Sequence, residues 1–190
     1  MASYPQHPFW DFSLRVYAGP GVAPACLALQ DRHGLDVNLL LLCCWLGRGR
    51  PRAPSRDEIA RLCAAVEDWH RHVVRPLREA RRWLKAPGPA IPADQAAELR
   101  DRIKRLELDS EHIEQLALAN QLESQVGGGA PPAPEHALAA VGYYFDILGV
   151  SPDGADRRAL TVVLTAAFPE TAPGRLEGLL AGLGAGSAKA

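Results

Sequence analysis

The sequence predicts an all-α fold: a multi-helix bundle of seven to nine helices that includes one long helix with a heptad pattern. Apolar residues recur at spacings of three and four in almost every segment, and no stretch alternates convincingly as a half-buried strand would. Breaks rich in glycine and proline separate these segments at residues 19–21, 48–54, 86–92 and 126–134. With 190 residues, 47% of them hydrophobic and 23% charged, the chain is long enough to bury a core.

The first two helices are expected over residues 9–17 and 22–33. Aromatic and aliphatic residues spread over one broad face of the first helix, and the Gly-Pro-Gly at 19–21 follows its end. Pro24 is compatible with the second helix because a first turn has no intrahelical hydrogen bond to lose. Gly34 is placed to cap its C-terminus.

Residues 36–47, DVNLLLLCCWLG, predict a helix at the centre of the bundle. Asp36 is a suitable N-cap and Gly47 a suitable stop. The apolar side chains between them point in every direction, as they do in a helix enclosed by others. The unbroken apolar run, residues 39–46, is far shorter than the roughly 20 residues that a membrane span requires.

The cysteines and the N-terminus favour a cytoplasmic protein. Cys26, Cys43, Cys44 and Cys63 lie in apolar helical surroundings and form no C-x-x-C pair, so they are expected to be buried, reduced and to act as small hydrophobic residues. The first residues lack the basic and apolar regions of a secretory signal.

A long amphipathic helix is expected from the capping-box sequence at 55–58. Pro76 is expected to break or kink it, and residues 77–85 continue as a strongly basic helix. The longest helical pattern, residues 94–124, carries a predicted heptad seam of Leu99, Ile103, Leu106, Ser110, Ile113, Ala117 and Asn120. The seam closes either against the helix from Ser55 or against a second copy of the protein. The polar seam residues Ser110 and Asn120 favour the first alternative.

The chain divides into four parts by composition. Residues 1–125 are expected to form a helical core domain, residues 126–134 a Gly/Pro-rich linker, and residues 184–190 a disordered tail. Between the last two, residues 135–183 predict three shorter helices, packed on the core or appended to it: 135–148, 155–168 and 173–183.

Several motifs of residues 8–122 carry a family resemblance. They read FW-x-FSL-x-x-Y, PGV, CL-x-LQD, G-x-DVN-LLL with a following Trp, LR-x-x-RR-x-LK, and EL-x-x-E-x-x-EQ, here at residues 9–17, 20–22, 26–31, 34–45, 77–85 and 107–115. In this pattern the chain resembles an uncharacterised bacterial family of small all-helical proteins of unknown function. The resemblance implies a cytoplasmic helical protein and brings no activity, cofactor or catalytic residue.

Motifs for catalysis or metal binding are not assembled. Glu67-x-x-His70 has the spacing of a carboxylate-bridged di-iron half-site, but its counterpart would be Asp109-x-x-His112. His112 is about 110° from the seam and is expected to face outward or toward a flank. No G-x-S-x-G or phosphate-binding loop occurs. We therefore predict no catalytic residue, no metal and no cofactor, and a protein more suited to binding than to catalysis.

A small-ligand pocket is one alternative function. Asn38 lies in the first turn of an otherwise apolar helix, where its amide demands partners. It either clamps the turn between the second and third helices, with Gln30, Asp31 and Asp36, or contacts a ligand. The pocket would use Trp10, Tyr17, Gln30 and Asn38, and an enzyme or ligand binder of this kind would also include His70.

The charge pattern predicts a surface for an anionic partner or an internal pairing. Residues 48–85 hold 11 basic and 5 acidic residues, a balance of 11 − 5 = +6, whereas residues 107–123 hold five acids and no Lys or Arg. The two segments either lie side by side and neutralise each other or leave a basic face for nucleic acid or an acidic protein. That face comprises Arg71, Arg75, Arg78, Arg81, Arg82 and Lys85.

We favour a non-catalytic interaction or regulatory module with a protein partner or self-association. Nucleic acid is a less favoured partner because the chain's formal net charge is −1 and exposed aromatic residues for base stacking are scarce. No membrane partner is expected.

Overall fold

The computed structural model describes residues 4–122 and 130–183, and this part of the chain is helical with no strand. The helices are α1 (Pro8–Tyr17), α2 (Val22–His33), α3 (Val37–Leu46), α4 (Arg56–Trp69), α5 (Arg75–Trp83), α6 (Ala93–Asn120), α7 (Pro134–Ile147), α8 (Gly154–Ala167) and α9 (Pro173–Ala181). A π-helical turn, His70–Val74, joins α4 to α5. The predicted all-α class is confirmed, and outside the junction of α4 and α5 each helix begins and ends within about one turn of its expected position.

Local capping signals explain several helix ends. The Asp36 side chain accepts a hydrogen bond from the backbone N–H of Asn38 at 2.8 Å, and Gly34 ends α2 with a φ of 67° that favours glycine. Ser55 accepts from the N–H of Glu58 at 3.2 Å, as a helix cap should. The Glu58 carboxylate is directed to Arg50, 2.9 Å away.

The chain stays helical through Pro76, which was expected to break or kink it. Pro76 has no N–H to bond to the preceding turn. The turn before it opens to a π-helix, in which the N–H of Arg75 bonds the carbonyl of His70, five residues back. The wider turn places His70 at the end of α4 with its ring directed toward α6.

Helix α3 lies at the centre of the molecule, as the sequence predicts. Eight of its ten residues are buried, and it packs against α1, α2, α6, α7 and α8. Its four consecutive leucines, 39–42, each contribute about 1.5–3 kcal/mol when fully buried. A helix in this position needs apolar residues on all sides.

The helices after residue 130 pack onto the same core. Tyr144, Phe145 and Phe168 are buried together with residues of α1 to α4. Gly47 makes this contact close, because a Cβ at that position would come within 2.8 Å of the Ala133 carbonyl oxygen and of the Phe168 ring. The expected linker lies outside the described residues up to residue 129, and the expected tail, 184–190, lies outside them entirely.

The inward face of α6 differs from the predicted heptad seam: four of the seven seam residues are exposed, so the favoured closure of the whole seam against the helix from Ser55 is wrong. Leu99 and Leu106 are 47% and 54% exposed, and Ala117 and Asn120 are exposed as well. The buried residues of this helix are mostly polar, namely Ala96, Glu107, Ser110, His112, Glu114, Gln115 and Leu118. Hydrogen bonds and ion pairs to other helices, rather than apolar contacts, select this face.

The cysteines are free thiols. Cys26, Cys43 and Cys44 are buried as expected, while Cys63 is half-buried. Burial raises the pKa of Cys26 and of Cys63 to about 12, so both stay protonated near neutral pH.

No single helix of the described chain is long and apolar enough to cross a membrane. Helices α1 and α2 reach the required length only when taken together, and they are bent by 97° relative to each other.

Candidate functional site

A groove of about 630 Å³ opens between α1, α2, α5 and α6, with α3 at its floor. Four of the five residues predicted for a ligand pocket line it: Trp10, Tyr17, Gln30 and Asn38. The fifth, His70, is not among the lining residues and lies behind Asn38, in contact with Glu114. The structure therefore brings together most of the residues that the sequence analysis selected.

Exposed apolar side chains form the mouth of the groove. Leu14, Tyr17, Leu27 and Leu108 are 47%, 36%, 38% and 48% exposed, and all four line the groove. A concave surface with several exposed apolar side chains is a candidate for binding a ligand.

Trp10 forms a fixed wall of the groove because it stacks on His112. Their ring centroids are 4.2 Å apart and their planes differ by 3°. Tyr4 contacts the same imidazole edge-on at 5.5 Å. Of the two expected positions for His112, outward or toward a flank, the structure shows the second, because α1 covers this flank of α6 and leaves His112 only 7% exposed.

Asn38 is a clamp between α3 and α6 that also faces the groove. Its side-chain amide donates a hydrogen bond to Glu114, and its side-chain oxygen accepts one from the Gln115 amide at 2.8 Å. Its backbone N–H is held by Asp36. Apart from Asp36, these partners come from α6 rather than from the turn beside Gln30, where the sequence analysis placed them.

Arg78 organises the other side of the groove floor. Its guanidinium donates to Glu107 at 3.1 Å, to Glu111 at 2.7 Å and to the side-chain oxygen of Gln30. Arg81 also donates to Glu107, at 3.0 Å. Burial tends to raise the pKa of Glu107, but the hydrogen bonds from Arg81 and Arg78 outweigh it and lower that pKa.

The predicted basic face is largely paired within the chain. Arg71 bonds Glu67, and Arg82 bonds Asp31 at 2.8 Å, in addition to the pairs of Arg78 and Arg81. The basic and acidic segments thus lie side by side, which was one of the two alternatives. Among the described residues, Arg75 and Lys85 have no ion-pair partner.

A buried cluster of three ionisable side chains lies behind Asn38. The Nδ1 atom of His70 is 3.3 Å from Asp36 Oδ2 and 3.2 Å from Glu114 Oε1. The side chains of Asp36 and Glu114 are 6% and 0% exposed. Burial, assisted by the charge of Glu114, raises the pKa of Asp36 to about 7.

The Glu-x-x-His pair considered in the sequence does not converge on this cluster. Glu67 is exposed and pairs with Arg71, while His70 turns toward α6.

Sequence reasoning missed Glu114 and Gln115 as partners of Asn38. Their signal was the recurrence of acids at 107, 111 and 114, which share one face of a helix with Gln115.

Comparison with protein-family models identifies the chain. The model described as a protein of unknown function (DUF2390) matches residues 8–118, more than half of the chain. This segment contains α1 to α5 and nearly all of α6, and it includes every residue that lines the groove. Searches of curated proteins and of solved structures give no significant match. The chain therefore belongs to DUF2390, a family of proteins of unknown function, in agreement with the resemblance of its N-terminal motifs.

Proposed function

We propose that this protein is a non-catalytic cytoplasmic binding protein whose groove holds a small amphiphilic anion, a molecule with an apolar body and an acidic end. The observation that carries the proposal is the composition of the groove mouth. Four exposed apolar side chains lie there together with two cations, Lys104 and Arg105, that have no ion-pair partner among the described residues.

The size and lining of the groove support a small ligand. Its volume of about 630 Å³ lies within the range of roughly 300–1,000 Å³ typical of small-molecule sites. Leu14, Leu27, Leu41 and Leu108 supply apolar contact, and the amides of Gln30 and Asn38 supply few, fixed polar groups. Charged side chains of α5 and α6 complete the lining, so a ligand would meet apolar walls together with fixed polar groups that orient it.

The charges of the groove support an acidic end. Glu107 and Glu111 neutralise Arg78 and Arg81, so these groups add little net field. Lys104, Arg105 and Asp101 of α6 also line the groove and leave a balance of 2 − 1 = +1 there. A carboxylate or sulfonate there would gain a charge-assisted hydrogen bond.

The lining of the groove also supports a non-catalytic role. No cysteine or histidine is among the described residues that line it, and its α6 glutamates are held by arginines. A general base needs a lone pair within reach of the ligand. The groove is therefore better suited to binding than to chemistry.

Fluorescence titration of the full chain tests the apolar part of the proposal. The probes are 8-anilinonaphthalene-1-sulfonate, which is an amphiphilic anion, and Nile red, which is neutral. Leu14→Ser should raise the Kd of both probes by roughly fivefold, which corresponds to about 1 kcal/mol of lost apolar contact. Leu99→Ser is the matched control, because Leu99 is equally exposed at 47% but lies outside the groove.

Charge reversal tests the acidic end. The double variant Lys104→Glu/Arg105→Glu should weaken binding of the sulfonate probe and leave binding of Nile red unchanged. Arg102→Glu, on the same helix but outside the groove, is the control. Absence of saturable binding, or equal effects of the groove and control variants, would refute the proposed function.

A second candidate function is self-association through the outer face of α6, as the sequence analysis suggested for its heptad pattern. Leu99 and Leu106 are seven residues apart, and both are about half exposed on this face. Light scattering coupled to size-exclusion chromatography should then show a dimer that Leu99→Ser/Leu106→Ser dissociates. A strict monomer at high concentration would remove this candidate.

A further inference from the structure

We propose that Asp36, His70 and Glu114 bind a divalent transition-metal ion, with Zn²⁺ and Mn²⁺ as its representatives. The site lies behind Asn38, beneath the groove floor, and it does not depend on occupation of the groove. It ties together the turn before α3, the π-helical turn and α6.

The geometry of the three side chains is that of a metal site. One oxygen of each carboxylate is already fixed: Asp36 Oδ1 accepts from the Asn38 backbone, and Glu114 Oε2 accepts from the Asn38 side chain. The other oxygens, Asp36 Oδ2 and Glu114 Oε1, point at the same space as His70 Nδ1. Second-shell hydrogen bonds of this kind orient metal ligands in proteins.

Asp36 Oδ2 supplies the second, independent observation. It is fully buried and has no hydrogen-bond donor, and its side chain is only 6% exposed. His70 Nδ1 carries at most one proton, so it cannot donate a full hydrogen bond to both Asp36 Oδ2 and Glu114 Oε1. Buried carboxylate oxygens require partners, and a cation between the three atoms would satisfy all of them at once.

The distances are compatible with a common ion. The three ligand atoms all lie within 4.8 Å of one another, and two of the separations are 3.2 and 3.3 Å. Ligand atoms about 2.1 Å from a tetrahedral Zn²⁺ are about 3.4 Å apart. The third separation is at most 4.8 Å, so a contraction of no more than about 1.4 Å would bring all three atoms to this arrangement.

The donor set selects the class of ion. Two carboxylates balance the charge of one divalent cation and suit Mn²⁺, while the imidazole suits Zn²⁺ or Fe²⁺ and disfavours Ca²⁺ and Mg²⁺, which prefer all-oxygen sites. Three protein ligands leave room for one water molecule. The π-helical turn that begins at His70 is a feature frequently found at functional sites.

Calorimetric titration of the full chain, stripped with a chelator and titrated with Mn²⁺ or Zn²⁺ alone, tests the site. We expect one ion per chain, a micromolar or tighter Kd, and a rise in the unfolding temperature at saturation. Asp36→Asn, which keeps a helix cap, and Glu114→Gln, which keeps the side-chain length, should each weaken binding at least tenfold.

Glu111→Gln is the matched control, because Glu111 lies on the same helix and bonds Arg78 outside the cluster. It should bind Mn²⁺ as the unaltered chain does. Circular dichroism of the metal-free variants shows whether each is folded. Absence of saturable binding to the folded, unaltered chain, or equal binding by Asp36→Asn, Glu114→Gln and the control, would overturn the proposal.

Discussion

A few polar residues determine how the groove is built. Arg78 contacts α6 through Glu107 and Glu111 and contacts α2 through Gln30, so one guanidinium joins three helices. Asn38 joins α3 to α6 in the same way, through its hydrogen bonds with Glu114 and Gln115. Each is largely buried, and removal of either would leave charged or polar partners without a hydrogen bond.

Replacement of Arg78 should therefore destabilise the protein strongly. We expect Arg78→Leu to lower the free energy of unfolding by about 2–4 kcal/mol, because Glu111 and Gln30 lose this hydrogen-bond partner and Glu107 keeps only Arg81. Arg71→Leu, which removes an exposed pair with Glu67, should cost less than about 0.5 kcal/mol. Urea denaturation measures both, and equal costs would contradict the account.

Glu107 should make the stability depend on pH. Because its pKa is lowered in the folded state, the stabilisation it gives is present above its unfolded pKa and is lost as pH falls through the folded value. Glu107→Gln should thus differ most from the unaltered chain near neutral pH. The difference between their free energies of unfolding should shrink below about pH 4.5; a difference that grows toward acid would contradict this assignment.

At the scale of elements, α6 shows where sequence reasoning succeeds and where it stops. The extent of this helix follows from its periodicity, and the C-terminus of α2 and both ends of α3 follow from capping residues beside them. The inward face of α6 does not follow from the sequence pattern, because the partners of Glu107 and Glu114 lie on other elements of the fold. Their positions in space depend on the whole fold.

The contact between α3 and the later helices also depends on a single small residue. Gly47→Ala should lower the free energy of unfolding by at least about 2 kcal/mol, because the new Cβ meets the Ala133 carbonyl and the Phe168 ring. Gly178→Ala, in α9, meets nothing within 4 Å and should be neutral or stabilising by up to about 1 kcal/mol. Thermal denaturation that ranks them in the opposite order would exclude this packing.

At the scale of the molecule, the core joins the segment matched by the family with the helices that follow it. Tyr144 in α7 accepts a hydrogen bond from the backbone N–H of Asp36 at 2.7 Å, and Phe145 and Phe168 belong to the same buried cluster as α3. Helix α3 is thus enclosed by helices of the segment that the family model matches and by helices that follow that segment. The sequence indicated an enclosed helix but not which elements enclose it.

Truncation tests this shared core. A chain of residues 1–122 should lose its cooperative thermal transition, because the leucines of α3 would be exposed on the side that α7 covers. A chain of residues 1–183 should unfold as the full chain does. Cooperative unfolding of the shorter chain at an unchanged temperature would show that residues 1–122 fold on their own.

The candidate site could be predicted only in part. Trp10, Tyr17, Gln30 and Asn38 stood out because each is an aromatic or amide side chain near a helix turn, and they do meet in one groove. The cluster of Asp36, His70 and Glu114 could not be predicted. Its members are far apart in the chain and meet only through the packing of α3, α4 and α6.

The most direct test of the account is an NMR titration of the ¹⁵N-labelled full chain with dodecanoate, an amphiphilic carboxylate. The indole N–H signal of Trp10 and the side-chain amide signals of Gln30 and Asn38 should shift together and saturate. The indole signal of Trp83, which is 62% exposed and outside the groove, should stay in place. Shifts confined to Trp83, or no saturable shift at Trp10, would contradict the assignment of the groove as the binding site.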